Sequence, residues 1–146
     1  MPRPCIFCAI VAGEVAAAVV LERAEAVAFL DHRPLLKGHC LLVPRAHVET
    51  FDDLSPDLIA PLFAAAQRLS RAVQAALSAD GSFLAVNTRI SQSVPHLHVH
   101  VVPRWRKDGL FSKSLLWMRR PYRDEAEMAA VQEAIRAALA RAAGEA

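Results

Sequence analysis

Apolar positions along this chain change their period several times, and each change marks an element. Val19-Val20-Leu21 and Val27-Ala28-Phe29-Leu30 are short apolar runs separated by the polar stretch from Glu22 to Glu25, the pattern of two strands and a turn. His39 to Val43 (HCLLV) is a third such run, stopped by Pro44. From Ser55 the period lengthens: Leu58, Leu62, Ala65, Leu69, Val73 and Leu77 recur at spacings of three or four, one buried face of a helix. Ser55 is placed to cap it, Pro56 suits the first helical position, and Asp57 complements the helix dipole. Pro61 conflicts with an unbroken helix, because its ring clashes with the carbonyl of Asp57. The pattern therefore predicts a kink there or a regular helix starting near Ala60. Asp80-Gly81 marks the end of this helix. Ser82 to Thr88 reads as a fourth strand and Leu97 to Val102 as a fifth. Ile6 to Ala12 predicts a short helix closed by Gly13, and Met128, Val131, Ile135 and Leu139 mark a C-terminal helix.

Strands in succession, interrupted by one long helix and followed by another, predict an α+β fold with a five-stranded antiparallel sheet. A single long helix between strands does not make a repeated βαβ unit. At 146 residues, with no linker or internal repeat, the chain is expected to form one domain over 1–146.

Composition adds little beyond this. Hydrophobic residues make up 54% and charged ones 22%, which is globular, and the formal charge of +2 gives no reason to expect a nucleic-acid partner. Arg104, Arg106 and Lys107 make a local basic patch. Trp105 and Trp117 are expected to pack and Arg119-Arg120 to face solvent. The N-terminal segment lacks the apolar core of a secretory signal. Val15 to Leu21 is far shorter than the ~18–20 residues a membrane span requires. A cytoplasmic protein is the expectation, and three cysteines, an odd number, suit thiols or a metal site better than disulfides.

The chemistry concentrates in HLHVHVV, His96 to Val102. In an extended strand, alternate side chains share a face, so His96, His98 and His100 line one surface while the aliphatic residues between them pack beneath. Three imidazoles offer nucleophiles, proton carriers or metal ligands. Cys5-x-x-Cys8 is half a zinc-binding pattern; on that motif alone, two small buried hydrophobes are the better reading. Cys40, inside an apolar run, is expected simply to be buried.

The run His96 to Val102 resembles the His-φ-His-φ-His-φ-φ signature of the histidine-triad (HIT) family of nucleotide hydrolases and transferases, φ being apolar. CIFCAIVAGE, AFLDHRPLLKGHCLLVPRAHVE and SQSVPHLHVHVVPR match in order, so the likeness runs from about Cys5 to Arg104. It implies a homodimer with a sheet continuous across two subunits. It also implies cleavage at the α-phosphorus of a purine nucleotide derivative, a nucleoside phosphoramidate or a dinucleotide polyphosphate, with release of a nucleoside monophosphate. His98 falls at the nucleophile position, forming a nucleotidyl-histidine intermediate that water hydrolyses. By the same resemblance His39, His100, Ser93 and Asn87 are donors to the phosphate, and Gln92 belongs to the phosphate loop. Asp31 would accept from the ribose hydroxyls, and Phe7, Ile10, Phe29 and Leu30 would form the slot for the base.

Some bacterial-type members complete the CxxC with two histidines, here His47 and His96. A closed Cys5, Cys8, His47, His96 set implies a structural zinc ion. The chain departs from the family where Ser91 replaces the glycine of a Gly-Gln-Ser loop, which bears on the leaving group and not on the nucleophile. Three other readings remain open from the residues alone. A nucleotidyltransferase or phosphorylase would form the same intermediate, a nucleotide-binding protein would need no catalysis, and the three triad histidines could share a catalytic metal.

Overall fold

The computed structural model describes residues 4–144. Five antiparallel strands form one sheet: β1 (Val19–Glu22), β2 (Ala26–Leu30), β3 (Cys40–Pro44), β4 (Gly81–Val86) and β5 (Val99–Arg104), in the order β1-β2-β3-β5-β4. Helix α1 (Ile6–Val11) precedes them, α2 (Pro56–Leu77) joins β3 to β4, and α3 (Glu125–Gly144) follows. The α+β expectation holds.

β2 and β3 are buried along their whole length, because both faces of the sheet centre are covered. Ala28, Leu42, Val99 and Val101 pack on one face against Leu62, Ala66 and Leu69 of α2 and Ile135 of α3. The other face carries Val27, Phe29, Leu41 and Val43, with Phe7 of α1 over them. Cross-strand pairing fixes which residues share that face: Val19 pairs with Phe29, Phe29 with Leu41, Leu41 with His100, and His100 with Ala85. His100 thus follows Phe29 and Leu41 in a row that ends at Ala85 on β4.

The elements depart from expectation in four places. Of the two alternatives at Pro61, the start near Ala60 does not hold: α2 is helical from Pro56 with Pro61 inside it. Leu62, Ala65, Ala66 and Leu69, all buried, hold the turns around the missing N–H. Ser55 sits at the N-cap but makes no side-chain cap bond. The helix ends at Leu77 with Ser78 left-handed, ahead of Asp80-Gly81. β4 stops at Val86, leaving Asn87 and Thr88 in the following loop. β5 begins only at Val99, so His96 lies in a bend, its N–H bonded to Val94 O at 2.8 Å, and His98 in the short lead-in to the strand. There the Leu97 N–H donates to Val48 O at 2.8 Å, outside the strand ladder. The alternation of faces survives: Leu97 joins the α2 core while His98 faces Phe7.

The loop from Asp31 to His39 turns at Gly38, whose φ of +99° and lack of a side chain are both required. A methyl group there would run into Leu77 and Pro103. Among the described residues no helix is long and apolar enough to cross a membrane.

Candidate active site and metal centre

His98 is buried, and its Nδ1–H donates to the carbonyl of His96 at 2.8 Å. That bond fixes the tautomer and leaves Nε2 with the lone pair. Burial lowers the pKa of His98, against the opposing pull of that backbone bond and of Asp31. The ring stands edge-on to Phe7, 5.2 Å between centroids, and beside His100 at 4.9 Å. A neutral imidazole with one nitrogen held and the other free is a nucleophile in its reactive form.

A second chain of bonds fixes two more rings. The Leu35 N–H donates to His39 Nδ1 at 3.1 Å, so His39 carries its proton on Nε2. That Nε2–H donates to His100 Nδ1 at 2.9 Å, which places the His100 proton on Nε2. Burial holds both neutral, His39 at about 3 and His100 at about 4. Asp31 raises both, less strongly, while Arg119 and the neighbouring histidines lower them further. The unfolded chain takes up protons at these positions near pH 6.5 and the folded one does not. The two rings therefore stabilise the fold fully above pH 6.5, and this contribution declines as pH falls toward 4, by up to about 1.4 kcal/mol per pH unit for each proton. Imidazole nitrogen NMR at pH 5.5 should find both rings neutral and Nε2-protonated; a midpoint near 6.5 for either would refute the assignment.

A cavity of about 680 Å³ opens in front of His98. Phe7, Ile10, Phe29 and Leu41 form its apolar wall, and Asp31, His98 and His100 its polar end. Leu30 borders it too, but packs in the core of the opposite face. Asp31 is buried; its Oδ1 accepts from the Arg33 N–H at 2.9 Å and its Oδ2 from Arg119 at 3.4 Å. A second cavity of about 430 Å³ lies on the other side of His100, bordered by His39, Phe83, Asn87 and Trp117. Ser93, His100 and Arg119 border both.

Gln92 differs from expectation. It borders neither cavity: its amide donates to Glu49 O at 2.6 Å and Val94 O at 3.1 Å, and its oxygen accepts from Arg89 N–H. It pins the loop. Ser91, standing where glycine is usual, adopts φ +60°, a left-handed conformation that costs a residue with a side chain about 1–2 kcal/mol.

The thiols of Cys5 and Cys8 lie one turn apart at the start of α1, where Cys5 Sγ accepts the Cys8 N–H. Cys5 Sγ is 3.3 Å from His96 Nδ1, Cys8 Sγ 3.3 Å from His47 Nδ1, and the two Nδ1 atoms are 3.2 Å apart. His96 directs Nε2 at Pro44 O, 2.9 Å away, so Nδ1 carries the lone pair that faces the thiols. These donors suit one ion: with bonds of about 2.0–2.3 Å, neighbouring corners of a tetrahedron fall a little over 3 Å apart. Burial and the adjacent Cys5 push the Cys8 thiol up in the metal-free site, and a cation there would reverse that.

The segment after β5 overturns two expectations. Arg104 is not part of a basic patch; it is paired with Asp108 at 2.7 Å and lies over the Phe111 ring. Arg120 is half-buried, and Arg119, though exposed, has partners at the site. Arg119 reaches Asp31 and the Arg33 carbonyl, and the Arg120 N–H donates to Pro34 O. Trp117 packs against Phe83 and Phe111 but stays half-exposed. No periodicity or motif in this segment could have placed Arg119 at the site.

Residues 12–107 match the family model described as the HIT domain. This chain belongs to the HIT family. The HIT chain is 38% identical over 124 residues to an uncharacterized HIT-like protein of Mycobacterium tuberculosis, covering 83% of this chain and 86% of that one. Its fold matches the crystal structure of a Zn-bound histidine triad family protein from Mycobacterium smegmatis, with a TM-score of 0.85, 35% identity and 97% of each chain covered. Two HIT relatives with named activities are less similar than these. An adenosine 5'-monophosphoramidase of Schizosaccharomyces pombe is 34% identical over 68% of this chain and 74% of its own length. An adenylylsulfatase of Arabidopsis thaliana is 30% identical over 80% of this chain and 60% of its own.

Proposed function

We propose that this HIT protein hydrolyses a purine nucleotide derivative, a nucleoside phosphoramidate or dinucleotide polyphosphate, at the α-phosphorus. The observation that carries this reading is His98 Nδ1 bound to the His96 carbonyl, with Nε2 left bare on a ring that borders a cavity with an apolar slot and a buried carboxylate. The base lies between Phe7, Ile10 and Phe29, with Leu30 behind, and the ribose hydroxyls donate to Asp31. His98 Nε2 attacks phosphorus, the bond to the leaving group breaks with its electron pair, and a nucleotidyl-imidazolium forms. Its Nδ1–H stays on the His96 carbonyl, which strengthens as a bond when the ring gains charge. Ser93, Asn87 and the Nε2–H of His100 supply donors to phosphate oxygens, and His39 acts through His100, whose ring its own Nε2–H orients. Water then attacks phosphorus, the P–Nε2 bond breaks, and the monophosphate leaves. Brief mixing with adenosine 5'-phosphoramidate should show a transient adenylyl adduct by mass spectrometry, with AMP accumulating. Accumulation of ADP on adding inorganic phosphate would make the enzyme a phosphorylase instead.

Cys5, Cys8, His47 and His96 would hold zinc in a closed, structural site, which supplies no chemistry to the reaction but fastens α1 to the triad. We also infer a homodimer. β4 is one of the two edges of the sheet, and Leu84 on it is exposed, as are Phe51, Ile59 and Phe63 beside and on α2. A second copy pairing along β4 would cover an open edge that is otherwise prone to association. Sedimentation should give twice 15.9 kDa, and Leu84→Lys should shift it to one chain; a wild-type monomer at micromolar concentration would rule the dimer out.

A further inference from the structure

The row Phe29, Leu41, His100, Ala85 runs across four strands and connects the two cavities. Phe29 and Leu41 border the first, Ala85 borders the second, and His100 borders both. On the reading proposed above, the nucleoside fills the first cavity with its phosphorus at His98. A phosphoryl group is displaced in line, so the leaving group departs on the side away from the nucleophile. His98 borders only the first cavity, and the second is reached past His100 and Ser93. The leaving group therefore enters the second cavity.

The charges there are one-sided. The residues bordering the second cavity include no carboxylate and a single cation, Arg119. His39 and His100 are bonded to each other as neutral rings, so the pair offers the Nε2–H of His100 and no net charge. Phe83 and Trp117 wall the space with apolar surface, which strengthens any charge interaction inside it.

Arg119 is placed to change partners. Its backbone neighbourhood is fastened: the Arg120 N–H donates to Pro34 O at 2.8 Å, and Tyr122 OH accepts from the Gly38 N–H at 3.0 Å. Its side chain is 43% exposed; Nη1 makes a long 3.4 Å contact to Asp31 Oδ2 and donates to the Arg33 carbonyl, a hold that survives loss of the Asp31 contact. Asp31 is the carboxylate that a ribose would engage. Ribose binding displaces the guanidinium from Asp31, and its fixed backbone leaves it at the boundary of the second cavity.

We propose that Arg119 selects nucleotides whose leaving group is itself a tetrahedral oxyanion, sulfate or phosphate, over those that expel a neutral amine. With a sulfate leaving group, the Pα–O bond breaks and its electron pair goes to sulfate, which departs as the dianion without taking a proton. The guanidinium neutralises the charge that a proton would otherwise have to meet, and its planar fork suits two oxygens of such a group.

The test compares wild type with Arg119→Gln and Arg119→Lys in binding and turnover. α,β-Methylene-ADP cannot be cleaved at its carbon bridge and carries a terminal oxyanion. Wild type should bind it about 10- to 100-fold more tightly than AMP; Arg119→Gln should erase that ratio and Arg119→Lys restore part of it. In turnover, the ratio of kcat/KM for adenosine 5'-phosphosulfate to that for adenosine 5'-phosphoramidate should fall by about 10-fold or more in Arg119→Gln. The relative losses for the methylene phosphonate and the phosphosulfate identify whether phosphate or sulfate is the better occupant. If Arg119→Gln lowers both substrates equally, or speeds phosphoramidate cleavage alone, the selection is overturned and Arg119 is a structural or occluding residue. Wild type that binds AMP and cleaves the phosphoramidate keeps the hydrolase reading even then. Wild type that binds no nucleotide sinks both.

Discussion

His98→Ala should lower AMP release from adenosine 5'-phosphoramidate by about a thousandfold or more and abolish the adenylyl adduct. The size follows from what is removed. Without the imidazole, water must attack phosphorus directly, and the two-step path disappears. His100, Ser93 and Asn87 would remain as donors, with His39 still orienting His100, so a residual rate above that in water is expected from charge stabilisation alone. The substitution also empties space beside Phe7 and His100, whose ring centroids lie 5.2 and 4.9 Å away, so nucleotide affinity must be measured alongside. A variant that binds AMP like wild type but forms no adduct isolates the chemistry. An adduct that persists in His98→Ala would move the nucleophile elsewhere, and His100 would be next in line.

Metal removal should have the second-largest effect. The purified protein should carry one zinc per chain, and Cys8→Ala or chelation should remove it. Zinc free at about a thousand times its dissociation constant stabilises a fold by about 4 kcal/mol, which for a chain of this size means a Tm about 8–16 °C higher. The damage should not stay local. His96 links three tasks: Nδ1 faces the thiols, Nε2–H holds the Pro44 carbonyl, and its own carbonyl orients His98. α1, six residues long, brings Phe7 to the apolar wall of the first cavity, and the same cysteines stand at its start. Stripped protein should therefore lose nucleotide affinity, seen as a raised KM, with a smaller loss in kcat. Wild-type protein that holds no zinc and melts at the same temperature with and without chelator would leave these four residues as a plain hydrogen-bonded cluster.

The triad shows how far a strand pattern can be read. Alternation in HLHVHVV placed the histidines on one face and Leu97, Val99 and Val101 in the core, because side-chain direction in extended backbone depends only on period. The same pattern could not show that the regular ladder begins at Val99. That depends on the Leu97 N–H pairing with Val48, almost fifty residues earlier. Gln92 illustrates the opposite failure. Its position next to the triad suggested a phosphate contact, yet backbone groups of Glu49, Arg89 and Val94 satisfy its amide.

Arg119 is the residue that no local reading could supply. It lies 88 positions from Asp31, in a segment without periodicity, and reaches the site because Trp117 packs on Phe83, Arg120 bonds to Pro34 and Tyr122 to Gly38. The amino-acid order alone determined the elements, the face of each histidine and the family, since these follow from short-range period and from residues matched in sequence. The family resemblance also named Cys5, Cys8, His47 and His96, whose donor atoms the fold brings together; only the folded chain decided the tautomers of His39, His98 and His100 and the cation between the two cavities. Each of those depends on atoms brought together from distant segments, and such contacts leave no trace in local spacing.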